Sequence, residues 1–252
     1  MLYRVVAALM FFTRLPLWRL FHVDAGYFKR VVPLWPITGW LTGGMMGGVF
    51  WLSSMVFPVS LSALFAVASR LLLTGALHED GFADFCDGFG GGTSRDRTLR
   101  IMKDSHIGTY GVIGLIIYYL TLLTAVTSLP ASIIPSALLC GDVFCKFIAS
   151  NIINVLPYAR KEEEAKNKLT YSKMSVLDFL LATVSGMAAL LWLPDPLLIL
   201  AGIAPILTSL FLFCWMKKRL NGYTGDCCGA TFIIGELAFQ MGLLLLVRIS
   251  CR

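Results

Sequence analysis

An acidic stretch, HEDGFADFCDG at positions 78–88, interrupts an otherwise apolar sequence. On a helix, Asp80, Asp84 and Asp87 are spaced i, i+4, i+7 and project from one face. Carboxylates that close repel one another unless a cation lies between them, and Mg²⁺ prefers such hard oxygen ligands together with water and substrate phosphate. A solvated acidic face is the alternative, but acidic residues between long apolar runs are usually functional. We therefore interpret these three residues, together with Glu79, as candidate metal ligands.

A basic stretch follows the acidic one. We predict a helix over Ser94–Ser105 with Thr93 as its N-cap. On that helix Arg97, Arg100 and Lys103 are three residues apart and form a cationic stripe. Cationic side chains beside a metal site suit phosphoryl transfer, so we assign Arg97 and Arg100 to phosphate. Contacts with lipid headgroups are the alternative.

A glycine-rich segment, GYTGDCCGA at 222–230, is the second candidate site. Glycines that leave backbone N–H groups exposed before a helix form an anion-binding nest, and Asp226 within it could bind metal or nucleotide. A flexible loop between helices is the alternative. Glu236 lies in the apolar run that follows, where we expect a cationic or hydrogen-bonding partner.

Four further polar residues have competing interpretations. Asp104 could be the i, i+4 partner of Arg100, a metal ligand or a general base. Asp142 and Lys146 are most simply an intramembrane ion pair. His78 begins an HE pair, but residue 82 is Phe, so the HExxH zinc motif is absent. We therefore expect His78 to act as a hydrogen-bonding neighbour rather than as a metal ligand.

The composition predicts that these residues belong to a membrane protein. Of the 252 residues 57% are hydrophobic and 14% charged, with a mean hydropathy of +0.76, and several apolar runs reach the roughly 20 residues that a spanning helix needs. We predict an all-α, polytopic integral membrane helical bundle over 1–252 as a single domain. It has about six to eight spans, including an interfacial or re-entrant N-terminal helix. The seven scattered cysteines are interpreted as reduced packing residues.

The charge distribution predicts the orientation of that bundle. Basic loops at 1–30, 77–110, 157–175 and 217–228 alternate with short turns near 58, 130 and 195 that lack Lys and Arg, so all four loops are expected in the cytoplasm. The net charge of +6 reflects these loops and anionic lipid rather than nucleic-acid binding. Glycines between 39 and 48 predict a small-residue face on the first span.

Several segments resemble a known family. The motifs HEDGFADFCDG at 78–88, SRDR at 94–97, IMKDS at 101–105 and GTYG at 108–111 resemble the signature of cobalamin synthases. FTRLP at 12–16, PYAR at 157–160 and TGDCCGA at 224–230 with Glu236 are similar to further segments of that family, in the same order. The resemblance covers nearly the whole chain.

This resemblance implies an adenosylcobinamide-GDP ribazoletransferase of the cytoplasmic (inner) membrane of a bacterium or archaeon, with its active site on the cytoplasmic side. Such enzymes join adenosylcobinamide-GDP to α-ribazole or its 5′-phosphate, release GMP and need Mg²⁺, in the final steps of vitamin B12 synthesis. The residues expected to act fall into three groups: the metal ligands Glu79, Asp80, Asp84, Asp87 and Asp226; the catalytic residues Asp87, Asp104, Arg97 and Arg100; and the substrate-binding residues Arg14, Lys103, Arg160, Thr224 and Gly225. Lys146 stands where the family leads us to expect arginine, and it lacks the bidentate fork of that residue. The partners are these small molecules and membrane lipid, with a homo-oligomer left open.

Three rival functions remain at the level of sequence. CDP-alcohol phosphotransferases and aromatic prenyltransferases also use spaced aspartates with Mg²⁺. The CDP-alcohol phosphotransferase pattern has Ala-Arg after the leading aspartates, whereas Asp84 follows Ala83 here. The prenyltransferase pattern has two acidic clusters. A transporter with Asp142, Lys146 and Glu236 as relay groups is the third rival.

Overall fold

A computed structural model describes residues 1–160 and 171–250, which form helices and connecting segments without a β-sheet. Positions 161–170, in the predicted charged loop, and 251–252 lie outside the described residues. In chain order the helices are α1 (Leu2–Phe12), α2 (Ala25–Phe28), α3 (Trp35–Ser53), α4 (Val59–Thr74), α5 (Leu77–Gly91), α6 (Arg95–Ile101), α7 (Thr109–Thr127), α8 (Ile134–Ser150), α9 (Ile152–Val155), α10 (Val176–Leu190), α11 (Ile203–Leu220) and α12 (Gly225–Ser250).

Four helical segments are long and apolar enough to cross a membrane: α7, the run of α8 and α9, α11 with the 3₁₀ turn before it, and α12. The successive helices α4 and α5, bent by 90°, make a fifth if they count as one span. The predicted polytopic, all-α membrane architecture is confirmed. The predicted six to eight spans also included α3 and α10. Five glycines make α3 less apolar, and α10 has only 15 residues.

The glycines of α3 allow it to pack closely against α8. A Cβ atom on Gly39, Gly43 or Gly47 would lie 2.8 to 3.0 Å from backbone atoms of α8, so only glycine permits this approach. Gly44 and Gly48 face open space. The predicted small-residue face is therefore confirmed for the three glycines spaced four residues apart.

The bend between α4 and α5 sets the direction of the acidic helix. Gly75 and Ala76 both adopt left-handed backbone conformations, with φ of 66° and 58°. The side chain of Arg14 packs over Gly75, where a Cβ would lie 2.0 Å from its Nε, and the Arg14 N–H donates to the Leu73 carbonyl at 2.7 Å. This bend turns the first residues of α5 toward the start of α12.

A buried ion cluster joins four helices beneath the bend. Arg70 of α4 is fully buried, pairs with Glu236 of α12, and donates to Glu79 of α5 at 3.2 Å and to the Tyr118 hydroxyl of α7 at 2.7 Å. Tyr118 in turn donates to the second oxygen of Glu236 at 2.7 Å. The predicted partner of Glu236 therefore exists. Arg70 was not singled out from the sequence, although a lone arginine in an apolar run is a recognisable signal.

The predicted pair of Asp142 and Lys146 continues this cluster along α8. Their side chains are fully buried and bonded to each other, as expected for an i, i+4 pair. Thr42 of α3 donates to Asp142 at 2.7 Å, and Arg70 lies 3.6 Å from the other oxygen of Asp142. The side chains named for a transporter relay are all held in these buried ion pairs.

Candidate active site at the converging helix ends

A cavity of about 170 Å³ lies where the end of α1 meets the first turns of α3, α5 and α12. Among the residues that the structure describes, its charged side chains are Asp80, Arg160 and Asp226. Its remaining wall is largely aromatic and includes Phe12, Trp35 and other rings described below. The cavity therefore combines acidic, basic and aromatic groups from distant parts of the chain.

Asp80 and Asp226 lie at the two helix starts that face this cavity. Each is in the first turn of its helix, where the positive end of the helix dipole stabilises a carboxylate. Glycines hold the two helices together: a Cβ on Gly81 would be 3.1 Å from the Asp226 Cα, and one on Gly229 would be 2.8 Å from the His78 carbonyl oxygen. The structure thus brings together one carboxylate from each of the two predicted sites.

The Thr-Gly-Asp segment supports Asp226 directly. Thr224 is fully buried; its hydroxyl donates to Asp226 Oδ2 at 3.3 Å and accepts from the Cys227 N–H at 3.4 Å. Gly225 lines the cavity. Because α12 begins at Gly225, only the first three residues of the predicted glycine-rich segment, 222–224, lie outside a helix.

The segment before residue 161 pairs with the segment before α12. The Ala159 N–H donates to the Tyr223 carbonyl at 2.8 Å, and the Tyr223 N–H donates to the Pro157 carbonyl at 2.9 Å. Gly222 is required here, since a Cβ would lie 2.4 Å from the Pro157 oxygen. This pairing places Arg160 beside the cavity that holds Asp226. Burial raises the pKa of Tyr158 to about 12, so its phenol stays protonated at neutral pH.

A basic groove of about 440 Å³ adjoins the cavity and shares Arg160 with it. Its other cationic side chains are Arg95, Arg100 and Lys103. Arg160 donates to the Leu99 carbonyl at 2.9 Å, which fixes the guanidinium against α6. The exposed Arg97 is not part of the wall of either space. Of the three predicted stripe residues, two therefore face the groove.

The helix carrying these cations is shorter than predicted. It ends at Ile101, so Lys103 and Asp104 lie beyond it. The predicted cap at Thr93 is wrong: Ser94 is the N-cap, and its hydroxyl accepts from the Arg97 N–H at 3.3 Å. Ser94 has the extended backbone that a cap requires.

Asp104 does not pair with Arg100. Its carboxylate accepts from the His106 backbone N–H at 3.0 Å and contacts the His106 ring at 2.8 Å. These hydrogen bonds lower the pKa of the exposed Asp104 below its usual value. Its predicted roles as metal ligand or general base stay predictions.

Asp87 caps α7. Its two carboxylate oxygens accept from the backbone N–H groups of Gly108 at 2.6 Å and Gly111 at 2.9 Å. A Cβ at either glycine would come within 2.6 Å of this carboxylate, which explains the glycines of the GTYG motif. The geometry favours a structural role for Asp87, and its predicted metal and catalytic roles remain untested.

Three other predicted residues lie near the cavity without lining it. Asp84 is 8% exposed and lies one turn beyond Asp80 on α5. Glu79 points into the buried ion cluster through its bond to Arg70. Arg14 packs on the bend before α5. The hydrogen-bonding role predicted for His78 stays a prediction, and its buried Nε2 has no partner in the described part of the chain.

The chain is similar to one protein family and to curated members of it. The model of the family described as cobalamin-5-phosphate synthase matches residues 4–244. A relative from Shewanella frigidimarina named adenosylcobinamide-GDP ribazoletransferase is 34% identical over 242 residues, which is 94% of this chain and 92% of the relative. One of the same name from Leptothrix cholodnii is 36% identical over 253 residues, which is 94% of this chain and 93% of the relative. No solved structure matches the chain.

Proposed function

Since the chain belongs to the cobalamin-5-phosphate synthase family, we propose that it is a membrane-bound, Mg²⁺-dependent adenosylcobinamide-GDP ribazoletransferase. The family match and the names of relatives more than 30% identical over most of both chains support this transferase activity. The substrates are adenosylcobinamide-GDP and α-ribazole or its 5′-phosphate, and the second product is GMP.

The observation that carries this proposal is the position of Arg160 between the cavity and the basic groove. Phosphoryl transfer from a diphosphate needs cationic side chains along its oxygens and a metal ion, held by carboxylates, at the reacting phosphate. Arg160, Arg100 and Lys103 supply the cations on one side. Asp80 and Asp226 supply the carboxylates on the other.

The donor set fits a magnesium ion. The described residues contain no group of three or more His, Cys, Asp or Glu side chains suited to a metal. Mg²⁺ does not need one, because it is usually bound by one or two carboxylates while water and substrate phosphates complete its octahedral shell. Asp80 and Asp226, from two helices in contact, would hold it, with Asp84 one turn away. When bound, the ion would neutralise charge on the diphosphate oxygens.

The chain's own residues would orient the displacement. A ribazole hydroxyl oxygen forms a bond to the phosphorus attached to cobinamide, the bond from that phosphorus to the GMP oxygen breaks, and the electron pair leaves with GMP. The hydroxyl proton passes to solvent water, directly or by way of the departing GMP phosphate. Arg160 and Arg100 would hold phosphate oxygens in line, because a guanidinium matches two of them at once.

We place the site at the cytoplasmic face of the inner membrane. The carboxylates and the basic groove lie in loops and helix ends rich in Lys and Arg, which the positive-inside rule assigns to the cytoplasm. The apolar helices α7, α11 and α12 would anchor the protein in the bilayer. Both substrates are polar and can reach such a site from water.

The direct test is incubation of the purified protein in detergent with adenosylcobinamide-GDP and α-ribazole, with and without Mg²⁺. We expect GMP and an adenosylcobalamin product in equal amounts, and only with the metal. GMP formed equally well after chelation would contradict the magnesium requirement. If no GMP forms with either ribazole or its phosphate, the activity itself is contradicted. CDP-alcohols and prenyl diphosphates serve as control substrates.

A further inference from the structure

The cavity beside Asp80 has an aromatic end. Rings from separate segments line it: Phe11, Phe12, Trp35, Tyr158 and Tyr171. Phe12 and Trp35 are stacked, with centroids 5.3 Å apart and planes within 5° of parallel. Phe11 meets Tyr171 edge to face at 6.1 Å. A flat, apolar ligand would find stacking partners here.

His78 adds one hydrogen-bonding group to this aromatic end. It is 2% exposed, and its ring centroid lies 4.9 Å from that of Phe232 and 5.3 Å from that of Trp35. Its Nε2 has no hydrogen-bond partner among residues 1–160 and 171–250. A buried polar atom without a partner carries a desolvation cost that a ligand's hydrogen bond would remove. The imidazole ring belongs to the cavity wall, and a rotation of the ring would turn the enclosed Nε2 toward a ligand held there.

The size of the cavity limits what this ligand can be. Its volume of about 170 Å³ is smaller than the roughly 300–1,000 Å³ of sites that enclose whole drug-sized molecules. It suits one ring system with part of its substituent. Asp80 and Asp226 line the same cavity, so a sugar attached to that ring would extend toward the carboxylates.

We propose that this cavity is the acceptor subsite, in which a benzimidazole-type base stacks among the aromatic rings and its unsubstituted nitrogen hydrogen-bonds to His78. The proposal rests on the transferase function given above and adds the placement of the two substrates. The nucleoside enters the aromatic cavity, and the diphosphate lies along Arg100 and Lys103 in the basic groove. Arg160, which belongs to both spaces, marks where they meet.

Guanine, the other base in the reaction, fits this end less well. Its N–H groups need hydrogen-bond acceptors, and carboxylates are the strongest that a protein offers. Among the described residues, the aromatic end offers two phenylalanine rings, two phenols, one imidazole and the indole N–H of Trp35, which also has no hydrogen-bond partner there. A benzimidazole attached to ribose presents a single acceptor nitrogen, which matches the single imidazole N–H of a neutral histidine.

Binding measurements with the full-length protein in detergent test the subsite without turnover. We expect Trp35→Leu to raise the Kd for α-ribazole by about 5- to 100-fold through lost stacking, and to change the Kd for GMP by less than about twofold. Trp40→Leu is the matched control, because Trp40 lies on the same helix but lines a different cavity. We expect it to change neither Kd by more than about twofold. Trp35→Phe, which retains a ring, should show a smaller rise for α-ribazole.

A second measurement isolates His78. The probe is an indole riboside, which has a carbon in place of the acceptor nitrogen of the benzimidazole. The native protein should bind α-ribazole about 5-fold or more tightly than this analogue. His78→Phe, which keeps an aromatic ring and removes the nitrogens, should bind the two equally.

The outcomes separate this proposal from the transferase function. If Trp35→Leu weakens GMP binding instead of ribazole binding, guanine occupies the cavity and the proposal is overturned. Unchanged ribazole binding in both Trp35 variants, or discrimination that survives His78→Phe, would also overturn it. GMP release by the native protein together with any of these results would leave the transferase function standing. A native protein that binds α-ribazole as described but releases no GMP would contradict the transferase function alone.

Discussion

Arg70 and Glu236 form a fully buried ion pair between residues 166 positions apart in the chain. The same guanidinium donates to Glu79, whose neighbour Asp80 lines the cavity. One arginine therefore connects α12, which carries Asp226, to the start of α5. The two carboxylates of the candidate site are positioned relative to each other by an ion cluster inside the helical bundle as well as by glycine contacts.

We expect Arg70→Met to destabilise the protein by about 3–5 kcal/mol, because it leaves Glu236 and Glu79 buried without their cation. Thermal unfolding in detergent would measure this. Arg19→Met, at an exposed position, is the control and should shift stability little. Adding Glu236→Met to Arg70→Met should recover part of the loss. A single variant as stable as the native protein would rule out a structural role for the cluster.

Asp80→Asn and Asp226→Asn should each reduce GMP release by about 100-fold or more, because the amide keeps the shape and loses the charge that would hold Mg²⁺. We expect the same for Asp84→Asn. The melting temperature of each variant shows whether the fold is retained, and titration with Mg²⁺ should reveal a higher requirement in any residual activity. Normal turnover in a folded variant would remove that residue from the metal site.

Two variants of Asp87 would distinguish a capping role of this residue from a catalytic one. Asp87→Ala should cost about 1–2 kcal/mol, because two backbone N–H groups at the start of α7 lose their acceptor. Asp87→Asn keeps one acceptor oxygen and should lose less stability and retain more than about a tenth of the rate. Loss of activity in the Asn variant as complete as in a folded Ala variant would instead support metal binding by Asp87.

Arg100→Ala should lower kcat/KM for adenosylcobinamide-GDP by about 100-fold or more, as removal of other charge clamps does. Arg97→Ala should cause a smaller loss, since its side chain lies outside the groove. Steady-state kinetics with α-ribazole saturating would compare the two. Equal losses would indicate that α6 acts through its net charge rather than through one positioned guanidinium.

The pH dependence of Asp104 follows from its contacts with His106. The pKa of Asp104 is lower in the folded protein than in the unfolded chain, so any stabilisation is present above the unfolded-state pKa and is lost as pH falls through the folded-state pKa. His106→Ala should raise the pKa of Asp104 toward its usual value, with little effect on stability at neutral pH. A carboxyl ¹³C titration would follow this; an unchanged pKa would show that His106 is not its cause.

Local spacing in the sequence predicted several features of the fold. Gly39, Gly43 and Gly47 recur every four residues, which is a helical period, so they had to share a face. Asp142 and Lys146 follow the same rule. Both predictions are confirmed because they depend on a single helix and its nearest neighbour.

Features that depend on tertiary packing could not be predicted from local spacing in the sequence. Spacing along one helix brought Asp80, Asp84 and Asp87 together, yet Asp87 is held by the start of α7, because an exposed helix N-terminus attracts the nearest carboxylate. The partner of Arg70 and the aromatic wall of the cavity come from segments far apart in sequence. Phe12 and Trp35 carry no local signal that distinguishes them from other aromatic residues in apolar runs, and Tyr171 lies in a polar, charged loop.

The cavity is lined by residues from Phe11 near the start of the chain to Gly229 in its last helix. A nascent chain that has not yet emerged beyond Asp226 has one of the two carboxylates and lacks the other. If both carboxylates are required, as proposed, the growing polypeptide would have no activity toward the substrates until this helix has been made. The candidate site would be complete only once the final helix packs beside α5.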